Sequence, residues 1–306
     1  MSSSKSGSSQ SGEAARVTTL SAGNDLIISA GRDIVSQGAQ IEAGNDAVIA
    51  AGRDIELTSA VNSTSMDTSN SSRSAGVSVT VGVGMKGANI GVGASVSAQN
   101  GTSSSAQTAH TNTNITVGGH ADVTAGRDIA LKGALVDARS AEVDAGRNLT
   151  VESQLDTGAG SSASKGMNAG VSYNFTTGQF GANAGVNAAQ GSQSRAWVET
   201  PSGIVTDREL TVTVGGHTQV TGGVIGSRSG ELTLETETLG TQDLILHETN
   251  QHVSGGVNVS VGVSEKGDVT PGGSLEGAYA NAERKALPRP RSAMAPSWCG
   301  TGMATA

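Results

Sequence analysis

The sequence has little of what usually fills a wide globular core. Only six of its 306 residues are aromatic, five are proline and 15% are charged. With so few large side chains, a doubly wound α/β sheet or a TIM-type fold of this length is not expected. The 35% apolar content and the modest net charge of −8 also argue against a chain kept disordered by its charge.

Other absences exclude further classes of protein. Cys299 is the single cysteine, which excludes an intramolecular disulfide framework and a multi-cysteine zinc site. The sequence has no run of about 18 apolar residues for a membrane helix. The N-terminus has no apolar segment of the signal-peptide type. No basic face indicates nucleic acid, so we expect no nucleic-acid partner.

Glycine is abundant, with 44 residues, and it recurs in a short phrase. The phrase is Ala-Gly-Asn/Arg-Asp/Asn, found at 22–25, 30–33, 43–46, 51–54, 125–128 and 145–148. Between the phrases lie short runs rich in β-branched residues, too short for helices and typical of strands. Short strands at a period of about 20 residues predict a parallel β-solenoid with one coil per repeat.

Stacking the coils at a shift of 21 residues predicts which side chains face inward. Ile28 then lies over Ile49 in a narrow apolar column that needs no aromatic side chains. Val35 lies over Glu56 with the opposite parity and is expected to face solvent. The glycines of the turns are expected to supply positive φ angles.

The stacked turns also predict ladders of polar side chains. Asn24 over Asn45 predicts stacked amides. Arg32 over Arg53 would stack like charges, which the neighbouring carboxylates such as Asp33 can relieve. Calcium binding at these turns is disfavoured, because the spacing alternates between 8 and 13 residues with one glycine per turn, unlike tandem calcium-binding nonapeptides.

A longer repeat contains the short one, since Val117-Gly-Gly-His120 returns as Val214-Gly-Gly-His217, a shift of 97. Each module is expected to be two coils followed by a protruding Gly/Ser/Val-rich β-hairpin, and six coils predict a shaft of about 30 Å. The expected segments are a disordered lead-in (1–16), coils (17–61, 115–156 and 204–249), hairpins (62–114 and 157–203), a partial hairpin (250–280) and a disordered tail (281–306).

The hairpins alternate apolar and polar residues. Val77, Val79, Val81 and Val83 share one predicted face, and each arm is expected to have about nine residues. The simpler interpretation packs the valine face on the β-helix flank. The alternative is a membrane-active hairpin, which would need other strands to pair its edges.

The repeat phrases, with Val-Gly-Gly-His and the Gly/Ser/Val hairpins, resemble the hemagglutinin repeats of filamentous hemagglutinins. They resemble more closely the second repeat region of two-partner-secreted contact-dependent growth inhibition effectors. The resemblance covers about residues 1–280. It implies an all-β, right-handed parallel β-helix in a large exported bacterial protein.

The resemblance also implies a function. The expected function is a non-catalytic stalk that supports delivery of a toxin across a target outer membrane; an adhesin shaft that binds surface glycans or proteins is the alternative. The parent would be secreted or at the cell surface, or reach the target cell envelope. Its partners would be a cognate outer-membrane transporter and a target membrane or receptor, with no small-molecule substrate.

Two motifs imitate catalytic or cofactor sites. Gly82–Gly87 matches G-x-G-x-x-G, but the glycine-rich residues that follow would break the helix that dinucleotide binding requires. His247 and His252 resemble a zincin motif with one residue too many, and on a strand they would point to opposite faces. We therefore expect no enzyme activity, no cofactor, and no catalytic or metal-binding residues.

Two other features have simpler interpretations. His120 and His217 are expected at equivalent turns or coil surfaces. From Asn281 the repeats stop, and prolines and arginines cluster. A disordered tail is the ordinary interpretation, and an abnormal end such as an out-of-frame segment is the sharper hypothesis.

Overall fold

The computed structural model describes residues 1–84 and 87–286. Its strands are β1 (Ser2–Glu13), β2 (Thr19–Ala22), β3 (Leu26–Ala30), β4 (Ile34–Gln37), β5 (Gln40–Ala43), β6 (Ala47–Ala51), β7 (Ile55–Thr58), β8 (Ala60–Gly84), β9 (Gly87–Thr111), β10 (Thr113–Ala125), β11 (Asp128–Lys132), β12 (Ala134–Ala145), β13 (Asn148–Glu152), β14 (Asp156–Asn174), β15 (Gln179–Trp197), β16 (Gly203–Thr206), β17 (Leu210–Thr221), β18 (Val224–Ser227), β19 (Leu232–Gln242), β20 (Leu246–Val263) and β21 (Val269–Ala286). They form a 14-stranded parallel sheet and a seven-stranded antiparallel sheet.

The parallel sheet winds into a β-helix, as the repeat predicts. On one side of the winding, β2, β5, the start of β10, the start of β12, β16 and β18 pair in succession, which makes six coils. Two further columns of strands complete each coil. Because every strand pairs with the coil before or after it, order does not depend on a wide core.

The predicted stacking register is confirmed. Ile28 pairs with Ile49, and Val35 pairs with Glu56. Ile49 is 2% exposed, whereas Val35 is 70% exposed, so the inward and outward parities are correct. The largest fully buried side chains are all aliphatic: Ile49, Ile55, Leu57, Ile115, Ile129, Leu131, Leu149, Ile204, Leu210, Val123, Val136 and Val143.

The turn glycines serve a different purpose from the predicted one. Among the described residues, positive φ occurs at Gly38, Gly133, Gly178, Gly222 and Gly267, all outside the Ala-Gly-x-Asp phrases. In the phrases, a Cβ on the glycine of one coil would meet the glycine carbonyl oxygen of the coil below within 3.0 Å, at Gly44, Gly52, Gly126 and Gly146. These glycines therefore permit close backbone stacking of the coils.

The hairpins are much longer than expected. Their arms have 25 residues in β8 and β9, 19 in β14 and β15, and 18 in β20 and β21, against the predicted nine. The third hairpin is complete rather than partial. Residues Ser2–Glu13, expected to be disordered, form β1 and pair with β8. Such Ser-rich segments lack the apolar alternation that indicates a strand, and their order comes from pairing with neighbouring hairpins.

The hairpins pair edge to edge, in the order β1-β8-β9-β14-β15-β20-β21. The valine face is not packed on the β-helix, since Val79 is 68% exposed. The pairing has a geometric cause. Successive hairpins are separated by two coils, about 10 Å along the axis, and two strands of a sheet also occupy about 10 Å. The hairpins therefore emerge at the spacing that a continuous sheet requires.

The expected tail, 281–306, lies partly outside the described residues. Residues 281–286 belong to β21, which pairs with β20 up to Ala286. The beginning of the predicted tail is thus strand rather than disorder. The remaining residues of the proposed abnormal end lie outside the described part of the chain.

Candidate functional site

The part of the antiparallel sheet farthest from the β-helix has one apolar and one polar face. We call it the distal sheet, and it comprises residues 73–83, 88–98, 167–174, 179–186, 257–263 and 269–275. One row across it consists of Val79, Val92, Tyr173, Phe180, Val263 and Val269, each paired with the next. Residues directly opposite one another on paired strands lie on the same face. The side chains of this row therefore form one continuous apolar band across six strands.

The neighbouring rows of the same parity extend this band. We call the resulting surface the apolar face, and its larger members are Val77, Val79, Val81, Val83, Ile90, Val92, Val96, Met167, Val171, Tyr173, Phe180, Val186, Val257, Val259, Val261, Val263, Val269 and Leu275. Most of them are exposed. An exposed apolar patch of this extent is characteristic of an interaction site.

The opposite face of the distal sheet is polar and carries no charged residue in these rows. It consists of Ser78, Thr80, Asn89, Ser95, Asn168, Ser172, Asn174, Gln179, Asn183, Asn258, Ser260 and Thr270, with glycines between them. From Ala75 to Val83 an extended strand rises about 27 Å at 3.4 Å per residue. This length matches the apolar band of about 25 Å on membrane-spanning strands.

The tip of the second hairpin braces the first hairpin. Tyr173 and Phe175 stack edge to face, with ring centroids 5.1 Å apart. The Phe175 amide donates to the carbonyl oxygen of Ile90 at 2.8 Å, and the Ile90 amide donates to Thr176 Oγ1 at 2.9 Å. Neighbouring hairpins are thus joined close to their tips as well as along their arms.

At the base of the antiparallel sheet, a buried carboxylate joins the first hairpin to the second. Asp156, 2% exposed, begins the second hairpin. Its Oδ1 accepts from the amide of His110 at 2.7 Å and lies 3.1 Å from His110 Nδ1, at the end of the first hairpin. This contact sets the relative position of successive hairpins where they leave the coils.

The coil turns carry charged ladders, as predicted for the arginines. Arg53 donates to Asp33 of the preceding coil, and Arg147 donates to Asp128 in the same way. Hydrogen bonds from these arginines hold the pKa of Asp33 and of Asp128 below the usual value. The carboxylates of these turns are thus engaged by guanidinium groups.

Two other predictions about the turns are wrong. The predicted amide ladder does not form, because Asn45 Nδ2 donates at 2.7 Å to Asp25 rather than to Asn24. His120 and His217 are not equivalent, since Val117 before His120 stacks on Ala43, whereas Val214 before His217 stacks on Ala145. The two phrases thus lie at different corners of the coil, although both interrupt the strand register.

Each of these two histidines bridges coils on the surface. Nδ1 of His120 lies 3.0 Å from Ser140 Oγ, and Nδ1 of His217 lies 2.7 Å from Thr238 Oγ1. Both hydroxyls belong to the next coil. The two imidazoles thus connect adjacent coils.

The motifs that imitate functional sites lie on hairpin strands. Gly82 lies on β8 near the first hairpin tip, where the chain continues into another strand. His247 and His252 both lie on β20, five residues apart. In residues 1–84 and 87–286 no group of three His, Cys, Asp or Glu side chains is placed to hold a metal ion. Cys299 lies outside the described residues.

The described residues also contain no helix with the length and hydrophobicity needed to cross a membrane.

The sequence predicted only part of the two-faced distal sheet. Parity within one hairpin indicates an apolar and a polar face. That three hairpins align their faces could not be read from the sequence, because the alignment depends on pairing between residues about 70 to 83 positions apart.

The fold and the distal sheet define a class of protein, a β-helical repeat protein that carries a laterally continuous sheet of hairpins. The hemagglutinin repeat pattern matches residues 1–162, over half of the chain. The chain belongs to the hemagglutinin repeat family.

Three curated relatives match most of the chain. It is 33% identical over 280 residues to toxin CdiA of Yersinia pestis, a match that covers 88% of this chain and 8% of that protein. It is 35% identical over 246 residues to 16S rRNA endonuclease CdiA of Enterobacter cloacae (79% and 7%), and 30% identical over 239 residues to toxin CdiA of Escherichia coli (74% and 8%). The chain thus spans less than a tenth of these relatives' length. No solved structure matches the chain.

Proposed function

We propose that the chain is a non-catalytic β-helical stalk segment of a large exported bacterial protein and supports delivery of a toxin across a target outer membrane. Family membership and the relatives named toxin CdiA support this proposal. The parent protein is secreted or held at the cell surface, exported by a cognate outer-membrane transporter. The β-helix acts as a spacer, and the distal sheet acts at the target envelope.

The two-faced distal sheet is the observation that carries this proposal. Its apolar face has the height of a hydrocarbon layer, and its polar face consists of small uncharged residues that water can solvate. In lipid every backbone amide and carbonyl needs a partner. The inner strands of the sheet meet this demand by pairing on both sides. At the outer strands β8 and β21, insertion would require pairing with further strands.

A matched pair of triple variants tests membrane insertion with the purified chain. Val79→Asn, Val171→Asn and Val259→Asn together make the apolar face polar. We expect this variant to lose flotation with lipid vesicles and protease protection of the distal sheet, at an unchanged melting temperature.

The control places the same residue on the polar face, as Thr80→Asn, Ser172→Asn and Ser260→Asn together. We expect it to float like the unmodified chain. Equal flotation of both variants, or no flotation of the unmodified chain, would contradict the proposal. In the complete parent protein, the apolar-face variant should remain displayed on the producing cell and lose inhibition of target cells.

An adhesin shaft is the second candidate function, favoured by one groove on the sheet. The groove, of about 860 Å³, lies between the distal sheet and the β-helix and is lined by hydroxyl, amide and carboxylate groups, among them Asp67, Ser104, Ser161, Ser192 and Gln251. Such groups can hydrogen-bond to sugars. Binding on a glycan array that is lost in Ser104→Ala and Ser161→Ala, without vesicle binding, would favour this function over the first.

A further inference from the structure

Three basic side chains border the apolar face on its side toward the β-helix. Lys5 on β1 pairs with Ser71, Ser71 with Asn100, and Asn100 with Lys165 on β14. These residues form one row across four strands, so Lys5 and Lys165 lie on the same face, about 14 Å apart. Arg73 lies one row closer to the tip, and 73 has the parity of Val77, so it shares that face as well. We call these three residues the basic row.

The basic row is not neutralised by neighbouring acids. None of its members forms an ion pair within the part of the chain that the structure describes. All three side chains are exposed. On β8 the first acid of the same parity toward the β-helix is Asp67, four residues from Ser71 and so about 14 Å away. The positive charge is therefore available to an external anion.

From the hairpin tips toward the β-helix, the side chains on this face are first apolar, then basic, then rich in hydroxyl groups. The apolar rows occupy the distal sheet, and Arg73 lies in the last of them, in the row of Met167. The row of Lys5 and Lys165 follows. Nearer the β-helix, the row of Asp67 contains Ser9, Ser104, Ser161 and Ser192. The same order is met from the middle of a bilayer outward: hydrocarbon, phosphate, water. Long basic side chains at this position reach the phosphates while their stems remain in contact with apolar surface.

We propose that the basic row binds the phosphate groups of a membrane leaflet and sets the depth to which the distal sheet enters, tip first. This inference rests on the proposed function and specifies its partner, a bilayer whose outer surface carries anionic phosphates. The distal sheet lies within the hydrocarbon, and the groove lined by Asp67 and Ser104 remains in the aqueous layer above it. The net charge of −8 opposes adsorption to an anionic surface, so the attraction must be local.

The test compares two charge-matched triple variants of the full chain. Lys5→Gln, Arg73→Gln and Lys165→Gln together remove the basic row. Arg16→Gln, Lys132→Gln and Arg139→Gln together remove three exposed charges elsewhere and serve as the control. Partition is measured by flotation on vesicles of phosphatidylglycerol mixed with phosphatidylcholine, and on vesicles of phosphatidylcholine alone.

We expect removal of the basic row to lower partition onto the anionic vesicles about 100-fold, since each basic side chain near such a surface contributes about fivefold. The control variant should partition like the unmodified chain. The difference should shrink as salt is raised, because ions screen the attraction. A bromine-quenching measurement on Tyr173 should show the ring within the hydrocarbon for the unmodified chain and shallower after removal of the row.

The possible failures are distinct. Binding that is equal for both variants and independent of lipid charge would overturn the proposed role of the basic row in phosphate binding. It would leave the proposed function intact. Absence of binding to every vesicle would overturn both proposals. A dimer in sedimentation whose formation is abolished by Val79→Asn and unaffected by vesicles would show that a second copy covers the apolar face, and would also overturn the inference.

Discussion

Arg127 on the third coil donates two hydrogen bonds to the carboxylate of Asp54 on the second coil, with Nη2–Oδ2 at 2.6 Å and Nε–Oδ1 at 3.1 Å. The amide of Asp128 adds a longer contact to the same carboxylate, at 3.3 Å. A guanidinium that reaches back by one coil turns a stack of like charges into an alternating ladder. The ladder favours one register between coils, because a shift of one residue would separate every pair.

The ladder predicts an acid-sensitive contribution to stability. The Arg127 guanidinium holds the pKa of Asp54 below its ordinary value of 3.8, and the Asp128 amide acts in the same direction. A carboxyl with a lowered pKa stabilises the fold at neutral pH, and this contribution is lost as the pH falls below about 4. In an Arg127→Gln variant the pKa of Asp54 should rise toward its ordinary value. A carboxyl ¹³C titration of both proteins measures this, and identical titration curves would contradict the ladder.

Close stacking of the turns predicts unequal effects of the same substitution at two glycines. A Cβ at Gly52 would collide with the carbonyl of Gly31, whereas a Cβ at Gly31 meets nothing within 4 Å. We expect Gly52→Ala to destabilise the fold by about 1–3 kcal/mol, the usual cost of forcing atoms into packed space. Gly31→Ala should be close to neutral. Urea unfolding compares the stability of the two variants. Equal midpoints would show that the turns can move apart.

The buried column predicts that a charge is tolerated on one parity and not on the other. Ile49 pairs with Ile28 on one side and with Val123 on the other, and all three face the core. Ile49→Asp should unfold at least the neighbouring coils, because an unpaired buried charge costs several kcal/mol. Val35→Asp, on the outward parity, should change stability by about 0.5 kcal/mol at most. A melting curve of Ile49→Asp that matches the unmodified chain would refute the inward assignment.

The contact between His110 and Asp156 predicts that the bases of the first and second hairpins are coupled. Asp156→Ala removes the acceptor of the His110 amide and should cost about 1–3 kcal/mol, as expected for a buried donor left without a partner. Asp156→Asn retains an acceptor oxygen and should cost less. Hydrogen exchange should show the loss at the bases of the first and second hairpins. Faster exchange limited to the hairpin tips would argue against this role.

Local sequence pattern predicted the coils with residue-level accuracy. The 21-residue shift and the alternation around Ile28 and Ile49 gave the correct register and the correct core face, because each coil repeats the same short-range pattern. The role of the phrase glycines was predicted wrongly, because the clash they avoid involves a carbonyl of the preceding coil, 20 to 74 residues away in the sequence. The prediction that His120 and His217 occupy equivalent positions was also wrong, since similar phrases can lie at different corners of a coil.

The sequence by itself determined that the chain winds into coils around an aliphatic column and that each hairpin has an apolar and a polar side. Tertiary structure alone decided how long the hairpins are and what they pair with. Residues such as Ser103 and Ser162 have no strand signal of their own, and they are ordered because their neighbours across the sheet supply backbone partners. The spacing of two coils per hairpin brings those neighbours within hydrogen-bonding distance, and thereby joins three separate apolar stripes, with the basic row beside them, into one surface.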